Sequence, residues 1–473
     1  MIIFIMHHSY QLTRYPIGSL KEIGAISWPL MLGLLSGSLM MFADRFLLAR
    51  YSAAALNGAV TAGIAIYVVM VIPLIIAGIS EVFVGRHHGA GKLKEVGIPV
   101  WQMIWLSVFT VPFFWGMAEG MPGFLFREGE NRLLEELYFK WMIVFAPFFC
   151  STLALMGFFI GIGQVRMVTW SALLGNMANI GLDVALIFGW GPFPEMGIKG
   201  AALATGLSQV LQTLFLMGLF LKKSHREYYG TACWQFNFSV FKEGFSIGAP
   251  AGVGRFLELV AHFVFFQLIS LSSSETLTVV GIVQSFYLLV SFIIEGLSKG
   301  VSSIVSNLIG GQQNVWIGKV LKSAMLMQVL LFCAFGLILA VFWPTLVPLF
   351  FSESDRALLL SPSFLHEMQW SLCLLSLFFL FDGLSWIYIG LLTASGDTKF
   401  LLYASLILNW LFYLLPTYVL FMVIQKGSAI NGWSIIVANS ILACVLYQMR
   451  YRSGKWLKAL SIKKAEEPAL LQN

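Results

Sequence analysis

The chain has 473 residues, of which 58% are hydrophobic and only 11% charged, and its mean hydropathy is +0.83. This number of charged residues is too small to cover the surface of a water-soluble protein of this length. The composition therefore excludes a soluble globular protein and indicates a polytopic membrane protein. The formal net charge of +6 is spread along the chain and not clustered on one face, which excludes a nucleic-acid-binding surface.

The predicted elements are twelve apolar segments, each about 20 residues or longer and so able to cross a hydrocarbon core about 30 Å thick. In chain order they lie at residues 22–48, 58–84, 98–120, 137–161, 167–190, 200–222, 243–272, 279–305, 317–345, 365–393, 399–424 and 431–452. Residues 1–21 lack the features of a cleaved signal peptide and are predicted to be an N-terminal arm, and residues 453–473 a C-terminal tail.

The basic residues predict the orientation of the segments. An even number of segments puts both termini on one side of the membrane. Alternate loops on that side carry about 20 Lys and Arg residues, against about 7 on the other side, and the positive-inside rule then makes both termini cytoplasmic.

The two halves of the chain resemble each other. Aligning Pro29 with Pro250 also aligns Gly89 with Gly310, and a second offset matches three further pairs, namely Gly157 with Gly390, Gly163 with Gly396 and Asn176 with Asn409. The repeat predicts two parallel lobes of six helices each, 22–222 and 243–452, joined by a cytoplasmic linker at 223–242.

Polar side chains interrupt the apolar segments. Asn176, Asn179 and Asp183 stand at i, i+3 and i+7, on one face of the fifth predicted helix. A carboxylate near the bilayer centre costs roughly 2.5 to 3.5 kcal/mol, so this face is expected to point into a helix bundle or a water-filled cavity. For the two asparagines, hydrogen bonding between helices is the structural alternative.

Further acidic residues lie inside predicted segments of both halves: Asp44 in the first, Glu258 in the seventh and Asp382 in the tenth. A carboxyl group removed from water can exchange a proton near neutral pH, or stay charged when Na⁺ lies beside it. An ion-coupled transporter needs these two properties.

Several motifs resemble those of the multidrug and toxic compound extrusion (MATE) family. They include "WPLMLGLLSGSLMMFADRFLLA" in the first segment, "VGRHHGAGK" after the second, and the long block "GFFIGIGQVRMVTWSALLGNMANIGLDVALIFGWGPFPEMGIKGAALAT" from the fourth to the sixth. "GAPAGVGRFLEL" in the seventh segment and "FDGLSWIYIGLLTASGDTK" from the tenth continue the resemblance. It covers nearly the whole chain.

The resemblance implies an all-α membrane fold with twelve transmembrane helices in two pseudo-symmetric six-helix bundles around a central cavity. It also implies a secondary antiporter that exports cationic or amphipathic organic compounds in exchange for H⁺ or Na⁺ by alternating access. The residues that match the family's cation or proton site in the first lobe are Asp44, Asn179, Asp183 and Thr205, and those of the second lobe are Glu258 and Asp382.

The chain departs from the family pattern at several positions. Arg45 follows Asp44 where the family usually has Thr, and Met40 and Phe378 stand where a Tyr is common. The candidate modulators of the cation sites are Arg255, His262, Asn176 and Arg45.

In the seventh segment Arg255, Glu258 and His262 lie at i, i+3 and i+7, so a guanidinium and an imidazole flank the acid. Either Arg255 neutralises Glu258 and replaces a bound Na⁺, or it extends to the membrane interface and never meets the acid.

Other classes of function lack a motif. The chain has no HExxH or Walker A sequence, and its five cysteines form no CxxC pair, so an enzyme, a zinc site and direct use of ATP are not expected. No cofactor is expected, and no metal beyond Na⁺ in the first-lobe site. The alternative function is a flippase for lipids or lipid-linked oligosaccharides of the same superfamily. The expected partners are a small organic cation and membrane lipids, with a monomer in a bacterial inner membrane.

Overall fold

The computed structural model describes residues 11–126, 129–271, 274–351 and 361–457. Three parts of the predicted elements lie outside the described residues: residues 1–10 of the N-terminal arm, residue 272 at the end of the seventh segment, and residues 458–473 of the C-terminal tail.

Within these ranges every regular element is a helix. The α-helices are α1 Leu20–Tyr51, α2 Ala53–Gly78, α3 Ser80–Gly89, α4 Gly97–Phe109, α5 Val111–Gly120, α6 Pro122–Leu125, α7 Arg132–Ile143, α8 Ala146–Gly161, α9 Val165–Ile187, α10 Ile198–Phe220, α11 Lys223–Tyr229, α12 Phe238–Ser270, α13 Ser274–Gly310, α14 Ile317–Leu346, α15 Pro362–Ser395, α16 Thr398–Leu406, α17 Leu415–Tyr418 and α18 Ala429–Arg452. Short 3₁₀ turns occupy Leu93–Glu95, Asn314–Trp316 and Val347–Phe350, and π-helical segments flank α17 at Ile407–Leu414 and Val419–Val423.

The described part of the chain contains 11 helical runs long and apolar enough to cross a membrane, and 12 if the bent pair α7 and α8 is one span. Each of the twelve predicted segments overlaps one of these runs, so the all-α prediction with twelve spans is confirmed. Helices suit this setting because each satisfies its own backbone hydrogen bonds where no water is present.

A proline explains the bend in the fourth predicted span. Helices α7 and α8 meet at 44°, and Pro147 stands in the first turn of α8. Because proline has no N–H to donate to the carbonyl four residues earlier, Ile143 loses its helical partner. Helix α7 ends at that residue.

The Cα atoms cluster into two compact units. Of the described residues, the first unit comprises 11–14, Ala25–Val253 and Ser303–Val315, and the second comprises Tyr15–Gly24, Gly254–Ser302 and those from Trp316 onward. The lobe boundaries drawn from the sequence stay a prediction.

Matched glycines of the sequence repeat have similar surroundings in their own units. A Cβ on Gly157 would lie 2.0 Å from Ser80 Oγ, and a Cβ on Gly390 would lie 2.5 Å from the carbonyl oxygen of Ser298. Gly163 and Gly396, which follow α8 and α15, both have left-handed backbones, with φ of +76° and +79°. The repeat therefore has a counterpart in local structure.

Large apolar side chains are exposed over much of the described chain. Phe42, Trp115 and Leu337, for example, are 68%, 66% and 66% exposed. Exposed apolar surface of this extent is unfavourable in water, and it is the surface that a membrane protein presents to lipid.

Candidate cation-binding site

Three helices of the first unit bring together the four residues predicted for the first-lobe site. Helix α1 supplies Asp44, α9 supplies Asn179 and Asp183, and α10 supplies Thr205. All four are buried, Asn179 and Asp183 completely. We call these four residues the first-unit cluster.

A hydroxyl group connects the members of the first-unit cluster. Thr205 Oγ1 accepts a hydrogen bond from Asn179 Nδ2 at 3.3 Å and lies 3.3 Å from Asp44 Oδ2. It also lies 3.1 Å from the backbone carbonyl of Ala201, one turn earlier. Since a hydroxyl has one proton, it donates to Asp44 or to Ala201 at any moment, but not fully to both.

The carboxyl groups of Asp44 and Asp183 are direct neighbours. Neither carboxylate oxygen of Asp183, nor Asp44 Oδ1, nor Asn179 Oδ1 receives a hydrogen bond from the described residues. Buried polar atoms are normally paired, and two adjacent carboxylates repel unless a proton or a cation lies between them. These oxygen atoms therefore suit a proton or a hard cation such as Na⁺.

Residues around the first-unit cluster differ in what they contact. Asn176, one turn before Asn179, donates to Ser36 Oγ on α1 at 2.5 Å and so joins two helices. Arg45 is exposed although Asp44 beside it is buried. Tyr138 on α7, which the motifs did not reveal, lies near both acids.

The second unit brings Glu258 and Asp382 into one neighbourhood, together with Arg255. Arg255 Nη1 lies 2.7 Å from Glu258 Oε1, so the guanidinium meets the acid and does not extend away from it. The Tyr287 hydroxyl, on α13, donates to Asp382 Oδ2 at 2.8 Å. We call Arg255, Glu258, Asp382 and Tyr287 the second-unit cluster.

His262 is expected to flank the carboxylate of Glu258, but its imidazole forms a hydrogen bond with the backbone instead. Its Nδ1 donates to the backbone carbonyl of Glu258 at 2.9 Å and not to the carboxylate. The ring lies 5.4 Å from that of Tyr413, measured between centroids, in the π-helical segment Ile407–Leu414. Such segments are frequent at functional sites.

Tyrosines on other helices lie near the acids of both clusters, whereas the family resemblance leads one to expect a Tyr at positions 40 and 378. Tyr287 packs against Phe378, with ring centroids 4.9 Å apart, and reaches Asp382 from α13. Tyr138 on α7 lies near the first-unit acids. Its position is set by packing, and no spacing in the sequence identifies it.

No group of three or more His, Cys, Asp or Glu side chains in the described residues is arranged to hold a metal ion. The first-unit cluster differs from such groups because it contains only two acidic residues. The amide of Asn179 and the hydroxyl of Thr205 supply its other oxygen atoms.

Comparison with known proteins identifies the family to which the chain is similar. The family model described as MatE matches residues 29–185 and 250–446, so the model matches twice, beginning at the two aligned prolines. Probable multidrug resistance protein NorM of Thermotoga maritima is 24% identical over 451 residues, covering 93% of each chain. Multidrug export protein MepA of Staphylococcus saprophyticus is 25% identical over 356 residues, or 74% of this chain and 73% of that one.

Solved structures share the fold. A MATE protein in complex with MaL6 superposes with a TM-score of 0.82 at 20% identity, covering 97% of this chain and 99% of the other. An outward-facing multidrug resistance MATE family transporter of the MOP superfamily gives 0.81 at 18% identity, covering 94% and 98%. The fold is thus that of twelve transmembrane helices in two bundles.

The protein is an integral membrane transporter and not an enzyme. The family model covers most of the chain, including the segments that carry Asp44, Asp183, Glu258 and Asp382. The chain therefore belongs to the MatE family of membrane transporters.

Proposed function

We propose that the protein, acting as a monomer, exports cationic or amphipathic organic compounds in exchange for Na⁺ or H⁺ by alternating access. The membrane is a bacterial plasma membrane with both chain termini on the cytoplasmic side. The observation that carries this proposal is the set of buried oxygen atoms in the first-unit cluster that have no hydrogen-bond partner among the described residues.

The chemistry of the cluster supports ion coupling. Two neighbouring buried carboxylates, one of which, Asp183, has no donor among the described residues, repel unless a proton or a cation lies between them. A bound ion therefore stabilises one arrangement of α1, α9 and α10 over another. An ion shifts a conformational equilibrium by its difference in affinity for the two states, which is the requirement for exchange.

The class of substrate follows from charge and from the relatives. The buried charges of the first-unit cluster are acidic, which favours a cationic substrate, and two relatives are named for multidrug resistance and multidrug export. The exposed guanidinium of Arg45 favours the second candidate, a lipid or lipid-linked oligosaccharide with an anionic headgroup.

Transport of a fluorescent organic cation by the protein in proteoliposomes tests the proposal. Imposed Na⁺ and H⁺ gradients are compared for the wild type and for Asp183→Asn. We expect one gradient to drive transport and Asp183→Asn to reduce the driven rate at least about tenfold, because losing a charged partner costs about 1.5 to 3 kcal/mol.

Glu227→Gln is the matched control. Its carboxylate is 67% exposed on α11, so this variant should transport at the wild-type rate. If neither gradient drives transport of any cation by folded wild-type protein, the proposal is wrong. Gradient-independent movement of a labelled anionic lipid would then support the flippase.

A further inference from the structure

Arg255 and Glu258 form a short ion pair inside a predicted transmembrane helix. Their side chains lie three residues apart on α12, with Nη1 2.7 Å from Oε1, and each is 30% exposed. A contact this short is a charge-assisted hydrogen bond. The guanidinium keeps its charge in proteins. Glu258 therefore has a permanent positive charge beside it that belongs to the chain itself.

A second helix holds the guanidinium in place. Arg255 Cζ lies 5.4 Å from the ring centroid of Trp386 on α15, within the range of cation–π attraction. Trp386 follows Asp382 by one helical turn, so the cation lies between Glu258 and the helix that carries the second acid. Asp382 in turn accepts a hydrogen bond from Tyr287. Each acid of the second-unit cluster thus has a partner within the protein.

The first-unit cluster is built in the opposite way. Asp183 receives no hydrogen bond from the described residues on either carboxylate oxygen, and the positively charged neighbour in sequence, Arg45, is exposed. A cation from solution can therefore reduce the repulsion in the first unit. In the second unit the same role is already filled by a side chain.

We propose that Arg255 is a built-in cation that occupies the position of a transported ion, so that only the first-unit cluster binds the coupling cation. Removing the guanidinium should turn Glu258 and Asp382 into a new Na⁺ site, because two carboxylates with no counter-charge attract a hard cation. This inference rests on the proposed ion-coupled export, but its test measures Na⁺ binding alone.

The number of bound Na⁺ ions is measured by calorimetric titration of the purified full chain in nanodiscs, at constant ionic strength with K⁺ as the replacing cation. Compared with the wild type, Arg255→Gln should bind one additional Na⁺. The double variant Arg255→Gln with Glu258→Gln should lose it again, and Arg255→Lys, which keeps the charge, should not gain it. Arg226→Gln on α11 controls for removal of an arginine elsewhere.

A second measurement does not depend on the stability of Arg255→Gln. Asp183→Asn with Arg255 intact should bind no Na⁺, because the first-unit cluster is then lost and the second is filled by the guanidinium. Na⁺ bound by this variant would overturn the proposal, and so would folded Arg255→Gln with the wild-type number of ions.

The two proposals fail in distinguishable ways. If export is not driven by any ion gradient but Arg255→Gln gains a Na⁺ ion, the proposed function is wrong and the role of Arg255 stands. If export is ion-driven and depends on Asp183, while Arg255→Gln gains no ion, only the role of Arg255 is wrong.

Discussion

The hydroxyl group of Thr205 links all three helices of the first-unit cluster. It lies 3.3 Å from both Asn179 Nδ2 and Asp44 Oδ2, and so connects α10 to α9 and α1. Because the same proton can also go to the carbonyl of Ala201, the hydroxyl can turn away from Asp44 when the acid is protonated and towards it when the acid is charged. Thr205 is thus suited to follow the ionisation of Asp44.

Replacing Thr205 by valine should weaken binding of the coupling cation. Valine has nearly the same shape but no hydroxyl, so Asp44 loses a donor and Asn179 an acceptor. With about 1.5 kcal/mol for a hydrogen bond to a charged group, the half-saturating cation concentration for transport should rise about tenfold. The measurement is the initial transport rate in proteoliposomes as a function of the driving cation.

Thr205→Ser is the control, since serine keeps the hydroxyl and should change the half-saturating concentration much less. A larger effect of serine than of valine would show that the methyl group, and not the hydrogen bonds, matters at this position.

The sequence predicted every member of the first-unit cluster but not every member of the second-unit cluster. Asp44, Asn179, Asp183 and Thr205 were predicted as one site, and the structure brings them together; their role in ion binding stays a prediction. No pattern in the sequence identifies Tyr287, because it lies 95 residues from its partner Asp382 and a lone tyrosine in an apolar segment is common. Which side chain meets an acid depends on how the helices pack.

At the scale of helices, glycines permit close approach. In the second unit, α15 crosses α13 with Gly390 so near that a Cβ would lie 2.5 Å from the backbone oxygen of Ser298 and 3.1 Å from its Oγ. Small residues at such crossings are typical of membrane helices. The crossing carries a hydrogen bond as well, from Ser298 Oγ to the carbonyl of Trp386 at 2.7 Å.

Gly390→Ala should therefore destabilise the protein, by about 1 to 3 kcal/mol, because the helices must move apart. Gly281→Ala on α13 is the matched variant: nothing lies within 4 Å of its Cβ position, so alanine should stabilise the helix by about 0.5 to 1 kcal/mol. Thermal unfolding of both variants in detergent micelles measures the difference. Opposite shifts of the melting temperature are expected, and a Gly390→Ala protein as stable as Gly281→Ala would contradict the close crossing.

The sequence does not predict which prolines break the helix in which they lie. Pro29 lies inside the continuous helix α1 and Pro250 inside α12, whereas α7 ends before Pro147 and a 44° bend follows. All three occur in predicted apolar segments. Whether a proline is accommodated or breaks the helix depends on whether neighbouring groups satisfy the freed carbonyl and pack against the bend, which local sequence does not specify.

At the scale of the whole molecule, the cytoplasmic position of both termini is open to a direct test. Cys233, between α11 and α12, is exposed and lies in the predicted cytoplasmic linker. In a chain with the other four cysteines replaced by alanine, a membrane-impermeant maleimide should label Cys233 in inside-out vesicles and leave it unlabelled in right-side-out vesicles. The positive-inside rule is the physical basis of this expectation.

Glu195→Cys in a cysteine-free chain provides the opposite marker. This exposed residue lies between α9 and α10, in a loop predicted to face outward, so it should be labelled in right-side-out vesicles only. The reverse pattern for both markers would invert the predicted orientation.

The sequence by itself determined that this protein lies in lipid, that its regular elements are helices and that its two halves repeat. Apolar segments of membrane-spanning length leave the helix as the structure that satisfies every backbone group in lipid, so composition and periodicity were sufficient. Only the tertiary structure decided that Arg255 contacts Glu258, that Asp183 has no donor in the described residues, and that Tyr138 and Tyr287 approach the acids. These contacts depend on the rotation and crossing of helices distant in sequence, and such packing is set by the whole molecule and not by any one segment.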